Sequence, residues 1–138
     1  MEYVLTAESL SKQYKNFKAL NDFSIHVPKG SIYGFIGKNG AGKTTLIRLV
    51  CGLQRATKGF YSLYGVENCK KELEQVRRRM GTMVGETFLY PELTAEENLR
   101  YQLLLRKGAG KGETARLLKA VGLSGRSGEK VRSFSGGM

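Results

Sequence analysis

Residues 37–45 constrain the fold of this chain more than any other part of its sequence. They read Gly37, Lys38, Asn39, Gly40, Ala41, Gly42, Lys43, Thr44 and Thr45, and the first eight fit G-x-x-x-x-G-K-[ST] at every fixed position. Before them lies an apolar run over residues 31–36, which is typical of a strand covered on both faces. A helical pattern over residues 43–51 follows, with one apolar side formed by Leu46, Leu49 and Val50. Strand, glycine-rich loop and helix in this order predict a loop that wraps around phosphate.

The residue types of this loop suit a nucleoside triphosphate with Mg²⁺. Glycine has no Cβ, so the backbone can pass close to an anion. The N–H groups at the start of the following helix then point towards that anion. We expect Lys43 to reach the β- and γ-phosphates, Thr44 to ligate Mg²⁺ through its hydroxyl, and Thr45 to hydrogen-bond the α-phosphate. The loop alone leaves kinases, GTPases, helicases and transporters open.

The segments around the loop predict an α/β protein with a mainly helical second part. Short strands are predicted at residues 2–8, 22–27, 60–64 and 80–84, and a charged helix at 70–79. Gly52 is the expected stop of the helix after the loop. Thr94 and Glu97 form the pattern of a capping box before predicted helices at 95–106 and 112–121. Residues 122–133 are rich in Gly, Ser and Arg and predict a loop.

Composition limits the class of protein without choosing the ligand. Lys and Arg number 23 against 12 Asp and Glu, and the net charge of +11 favours anions such as nucleotides, nucleic acid or a membrane surface. No stretch approaches the roughly 18 consecutive apolar residues of a membrane span, and no secretory signal is visible. Cys51 and Cys69 have no metal-ligand spacing and are interpreted as reduced thiols.

Four further motifs resemble those of ABC-transporter ATPase subunits. Tyr14 stands where that family carries an aromatic residue that stacks on adenine. Glycines at positions 52, 59 and 65 resemble the family's run after the phosphate-loop helix, and residues 89–99 resemble the stretch after its Q-loop. About ninety residues past the phosphate loop, a signature motif is matched by Ser135, Gly136 and Gly137. Each motif is weak singly, but their order and spacing identify the chain as a member of the family.

The resemblance implies a P-loop NTPase core with an N-terminal antiparallel β-subdomain and a helical subdomain, truncated at the signature motif. Residues 1–138 would form part of a nucleotide-binding domain. The β-subdomain and core would occupy about residues 1–84, and the Q-loop region and helical subdomain about residues 85–138. Ser135 and the N–H groups of Gly136 and Gly137 would bind the γ-phosphate of a nucleotide held by a second ATPase subunit.

Two departures from the family pattern refine this expectation. No glutamine stands at the Q-loop position, where Glu86 is the nearest polar candidate, and subunits of bacitracin and lantibiotic exporters often carry Glu around that point. The chain also ends before the family's metal-binding Asp-Glu pair and its switch histidine. No complete catalytic set is therefore expected, and His26 is interpreted as a structural or surface residue.

The predicted function is that of an ATP-binding subunit that energises export of a peptide or drug. A full-length parent would hydrolyse ATP as a head-to-tail dimer, at the cytoplasmic face of the membrane, beside membrane-embedded permease subunits. This chain alone is expected to be inactive and to have no direct nucleic-acid partner. One alternative is a soluble ABC-type ATPase acting on nucleic acid or ribosomes, which the net charge permits. A P-loop kinase would leave Tyr14 and the Ser-Gly-Gly motif unexplained.

Overall fold

The computed structural model describes residues 2–85, 89–105, 110 and 112–138. The chain divides into two compact units, with the boundary between positions 86 and 87. The first unit holds an antiparallel sheet with helices α1, Lys43–Val50, and α2, Leu73–Arg77. The second holds helices α3, Ala95–Leu105, and α4, Glu113–Ala120, with 3₁₀ turns at Ser124–Arg126 and Val131–Ser133. Within the described ranges, no helix combines the length and apolar character needed to cross a bilayer.

The sheet of the first unit has four antiparallel strands in the order β2-β1-β3-β4. Their bounds are Tyr3–Tyr14 for β1, Phe17–Pro28 for β2, Lys58–Leu63 for β3 and Val66–Glu67 for β4. β1 and β2 form a long hairpin closed by a two-residue turn, and both are longer than predicted. Register shifts interrupt their pairing at several points, so the apolar alternation that marks a strand is lost along much of each.

Helix α1 packs its predicted apolar side into the core of this unit. Leu46, Leu49 and Val50 are buried, which confirms the pattern seen in the sequence. They belong to one hydrophobic cluster together with Ala7, Leu10, Leu20, Ile25, Tyr61, Leu63 and Leu73. The helix therefore lies against the sheet along its length, and its amino-terminal end is held in place by the core behind it.

The strand predicted over residues 31–36 is not formed, and that prediction was wrong. None of the strands in the described part of the chain pairs with this segment. Ile32 and Ile36 are almost fully exposed, and Phe35 alone packs against the core, through an edge contact with Phe23 at 5.4 Å between ring centroids. Residues 80–84, also predicted as a strand, are likewise irregular. An apolar sequence becomes a strand only where a neighbour takes its backbone hydrogen bonds.

The second unit is organised around the start of α3. The capping box is confirmed, because the Thr94 N–H donates to Glu97 Oε2 at 2.8 Å and the Glu97 N–H donates to Thr94 Oγ1 at 3.2 Å. The buried amide of Asn98 accepts from the Tyr90 N–H at 2.8 Å and donates to three carbonyls, those of Tyr90, Leu93 and Thr94. These bonds fix the loop that leads into α3.

Candidate nucleotide-binding site

The phosphate loop folds back on itself and holds its own lysine. The Ala41 N–H donates to Lys38 O at 3.1 Å, which closes a turn at the top of the loop. The Lys43 ammonium donates to the carbonyl oxygens of Gly37 and of Lys38, the latter at 2.8 Å. Because Lys43 is the first residue of α1, its side chain crosses the mouth of the loop from the helix end. A cation is thus held at the loop, where the terminal phosphates are predicted to bind.

Gly42 is required at the point where the loop meets the sheet. It has a φ of +88°, in the left-handed region that favours glycine. A Cβ at this position would lie 2.5 Å from the carbonyl oxygen of Ala19 and 3.1 Å from Leu20 Cδ1. The start of β2 therefore packs directly onto the backbone of the loop. This contact joins two segments that lie more than twenty positions apart in the sequence.

The amino-terminal end of α1 offers free hydrogen-bond donors. Neither the backbone nor a side chain of the described residues accepts from the N–H groups of Lys43, Thr44 or Thr45. The first N–H groups of a helix have no intrahelical acceptor, and the helix dipole places partial positive charge at this end. Donors and charge together suit an anion of phosphate size.

A cavity of about 270 Å³ opens directly at these donors. Its lining comes from the phosphate loop, the start of α1 and the start of β2, namely Asn39, Gly40, Gly42, Lys43, Thr44, Thr45, Phe17 and Ala19. The predicted residues Thr44 and Thr45 are thus brought together with Lys43. Phe17 and Ala19 were not predicted, because only the packing of β2 onto Gly42 brings them to the loop.

Tyr14 lies at the end of β1, paired with Phe17 across the hairpin turn. Its hydroxyl donates to Oε1 of Gln54, a residue that follows α1, and the Lys12 ammonium lies 5.0 Å from the centre of its ring. Tyr14 is 39% exposed and is absent from the described residues that line the cavity. Its predicted contact with adenine stays a prediction.

At the carboxyl end of α1, the last carbonyl groups accept hydrogen bonds from other groups of the chain. Gly52, with a φ of +79°, ends the helix as predicted, and the N–H groups of Gly52 and Leu53 donate to Leu49 O and Arg48 O. The Arg77 Nε–H donates to Val50 O at 3.1 Å. Carbonyl groups that a helix end would otherwise leave without partners are therefore satisfied.

Tyr61 completes this network from the sheet side. Its hydroxyl donates to Leu49 O at 2.7 Å and accepts from Arg77 Nη2 at 2.5 Å. Burial raises the pKa of the phenol, and the neighbouring Arg77 charge opposes that shift in part. At neutral pH the hydroxyl keeps the proton that it donates to the helix.

The residues of the loop fit a Mg²⁺ ion that is coordinated partly by the protein and partly by phosphate oxygens. The described residues contain no group of three or more His, Cys, Asp or Glu side chains able to hold a metal ion. Mg²⁺ commonly takes one or two protein oxygens and completes its shell with phosphate oxygens and water. The Thr44 hydroxyl at the cavity edge can supply one such oxygen.

The predicted signature residues lie in the second unit as an exposed turn. The Met138 N–H donates to Ser135 O at 3.0 Å, which folds Ser135, Gly136 and Gly137 into that turn. Just before it, the ring of Phe134 lies 4.7 Å from the guanidinium carbon of Arg126. The turn is therefore held at its amino-terminal side. Glu86, the predicted Q-loop residue, lies outside the described residues, so its role stays a prediction.

Comparison with models of protein families shows to which family the chain belongs. The family model described as ABC transporter matches residues 20–138, which include the phosphate loop and the signature turn. The chain belongs to the ABC transporter family. The resemblance predicted from the motifs is thereby confirmed.

Curated members of the ABC transporter family resemble the chain over nearly its whole length. The bacitracin transport ATP-binding protein BcrA of Enterococcus faecalis is 37% identical over 138 residues, covering 100% of this chain and 44% of that protein. The linearmycin resistance ATP-binding protein LnrL of Bacillus subtilis is 36% identical, with 98% and 44% covered. The ABC transporter ATP-binding protein NatA of Bacillus subtilis is 34% identical, with 98% and 58% covered. The chain spans about half the length of these relatives.

Solved structures confirm the predicted fold class. An ATP-binding subunit of an ABC transporter superposes with a TM-score of 0.76 at 32% identity, covering 98% of this chain and 57% of that one. The ATP-binding cassette MJ0796, solved as a dimer with ADP and Pi, gives a TM-score of 0.77 at 24% identity, with 96% and 64% covered. The chain thus has the α/β fold of ABC nucleotide-binding domains, with the antiparallel sheet expected at its amino-terminal end.

Proposed function

We propose that this chain binds ATP·Mg²⁺ at residues 37–45 as the ATP-binding part of an ABC transporter subunit. The observation that carries the proposal is the amino-terminal end of α1. There the free N–H groups of Lys43, Thr44 and Thr45 open onto a cavity beside the Lys43 ammonium. Preorganised donors and a fixed cation are the groups that bind and stabilise a triphosphate.

Each residue of the site has a proposed role. Lys43 would exchange its bonds to loop carbonyls for bonds to the β- and γ-phosphates, which carry more negative charge. Thr44 would supply an oxygen to Mg²⁺, which neutralises phosphate charge when bound. Thr45 would donate to the α-phosphate, and Tyr14 would stack on adenine. Gly37, Lys38, Asn39, Gly40, Ala41 and Gly42 would present their backbone to the phosphates.

The proposed partners follow from the family and from the relatives' names. A second ATPase subunit in a head-to-tail dimer would offer its phosphate to Ser135, Gly136 and Gly137 of this chain. Membrane-embedded permease subunits would place the complex at the cytoplasmic face of the membrane. The named relatives serve bacitracin transport and linearmycin resistance, which favours export of a peptide or drug.

The full-length protein is proposed to hydrolyse ATP, whereas residues 1–138 alone are proposed to bind it without turnover. Among the described residues that line the cavity, none is a carboxylate or a histidine. Hydrolysis needs a group that orients the attacking water, in addition to the charge stabilisation that Lys43 supplies. Binding and turnover should therefore separate in this chain.

The test is a calorimetric titration of ATP with Mg²⁺ into the chain and into Lys43→Ala. The variant should bind ATP about 100-fold more weakly, because it loses charge-assisted hydrogen bonds to the phosphates. Lys58→Ala, which removes an exposed lysine at the start of β3, is the matched control and should bind as the parent does. Equal affinity of the parent and Lys43→Ala would refute the phosphate-loop assignment. The same samples should release no phosphate above background.

A further inference from the structure

Phe17 is a large apolar side chain that the structure leaves exposed at the edge of the phosphate-loop cavity. It begins β2 and is 62% exposed. Among the described residues that line the cavity, it is the sole aromatic one. Its exposed ring is therefore accessible to a ligand bound in the cavity.

The position of Phe17 relative to the loop is fixed by backbone contact. Ala19, two residues along the same strand, lines the same cavity. Its carbonyl oxygen packs against Gly42 so closely that a Cβ there would lie 2.5 Å away. Leu20, next in the strand, is buried in the core beside α1. The segment that carries Phe17 is thus anchored at the site where the phosphates are proposed to bind.

Tyr14, the cross-strand partner of Phe17, is bonded to the segment that follows α1. Its hydroxyl bonds to Gln54, which follows that helix, and one face of its ring lies near the Lys12 ammonium. The ammonium of Lys12 is itself fixed by a 2.7 Å bond to Arg55 O. Because Tyr14 and Phe17 are paired across the hairpin turn, the two aromatic residues lie at the same end of the hairpin.

We propose that Phe17 is a base-contacting residue of the nucleotide site, in addition to Tyr14, and that its ring stacks on the nucleobase. This inference rests on the proposed binding of a nucleoside triphosphate at residues 37–45. Every nucleobase has a π-face, so stacking on Phe17 supports binding without selecting one base. The contribution of Phe17 should therefore appear with ATP and with GTP, and should be absent for a triphosphate that has no base.

The experiment compares Phe17→Ala with the parent by calorimetric titration of ATP, GTP and inorganic tripolyphosphate, each with Mg²⁺. Loss of one stacking contact should weaken both nucleotides by about 5- to 150-fold and leave tripolyphosphate binding unchanged. Phe17→Tyr keeps a ring and should bind nucleotides as the parent does. Phe60→Ala removes another exposed phenylalanine of the same sheet and is the matched control for general effects on stability.

The outcomes separate this inference from the function on which it rests. ATP affinity unchanged in Phe17→Ala, or ATP and tripolyphosphate weakened equally, overturns the role of Phe17 while leaving the phosphate site standing. The role is also overturned if Phe17→Tyr binds nucleotides as weakly as Phe17→Ala, because an aromatic ring at this position would then not be sufficient for binding. A parent chain that binds neither ATP nor tripolyphosphate overturns both proposals. Thermal unfolding of each variant shows that the comparison is made on folded protein.

Discussion

The two ends of helix α1 differ in whether their backbone groups have hydrogen-bond partners. At the amino-terminal end, the N–H groups of residues 43–45 have no acceptor among the described residues and face a cavity. At the carboxyl end, the glycine stop, Arg77 and Tyr61 provide partners for the last carbonyls. An open helix end leaves N–H donors available to a ligand, whereas a closed end holds the helix in the fold. The same eight residues thus combine a proposed binding site with a fixed part of the core.

The largest effect that this comparison predicts comes from Gly42→Ala. The left-handed φ alone costs roughly 1–2 kcal/mol for a residue with a side chain. The added Cβ would also meet the Ala19 carbonyl at 2.5 Å, which is backbone and cannot move away easily. The variant should lose ATP binding, and its free energy of unfolding should fall by about 2 kcal/mol or more. Calorimetry and urea denaturation measure the two effects.

Two glycines serve as controls for Gly42. Gly40 has a φ of +83°, but a Cβ there would meet nothing within 4 Å, so Gly40→Ala carries the conformational cost alone. Gly52 at the other helix end has a φ of +79°, and its Cβ would meet the Arg77 guanidinium, a side-chain group, instead of backbone. Gly52→Ala should destabilise the protein by about 1–2 kcal/mol and keep ATP affinity near that of the parent. If Gly52→Ala lost ATP binding as Gly42→Ala does, the two ends would not be distinct in function.

Arg77→Ala tests the anchoring end directly. It removes the bonds to Val50 O and to the Tyr61 hydroxyl, so the free energy of unfolding should fall by about 1–3 kcal/mol. ATP affinity should stay close to that of the parent, since the open end of α1 is untouched. Urea denaturation and calorimetry on the same preparation measure both quantities. Arg78→Ala, in the exposed next residue, is the matched control and should leave stability nearly unchanged.

The smallest effect is a dependence of stability on alkaline pH through Tyr61. Burial raises the pKa of this phenol in the folded protein, so its contribution is complete below the unfolded pKa and is lost as pH rises through the folded pKa. The free energy of unfolding should therefore fall as pH rises above about 10, and it should fall less in Tyr61→Phe. Tyr61→Phe leaves every other ionisable group of the chain in place, so the difference between the two curves isolates Tyr61. If the two curves ran parallel, protonation of Tyr61 would make no contribution to the free energy of unfolding.

Local features of the site were predictable from the sequence because they depend on residues close together in the chain. The phosphate-loop pattern specified a turn before a helix, and the lysine of that pattern bonds within the loop. Gly52 stops α1, and Thr94 and Glu97 cap α3, through bonds that span five residues or fewer. Interactions of this range need only the right residue types at the right spacing.

Other features were decided by the tertiary structure alone. The strand expected at residues 31–36 did not form, although its composition favours one, because a strand also needs a neighbour that the sequence pattern cannot supply. Phe17 reaches the cavity, and Arg77 reaches the end of α1, across separations of 20 or more positions. Motif and spacing by themselves determined that this chain makes a phosphate loop and which family it belongs to. Which side chains surround that loop and anchor its helix depended on how β2 and α2 pack against α1, since contacts between distant segments leave no periodic signal in the sequence.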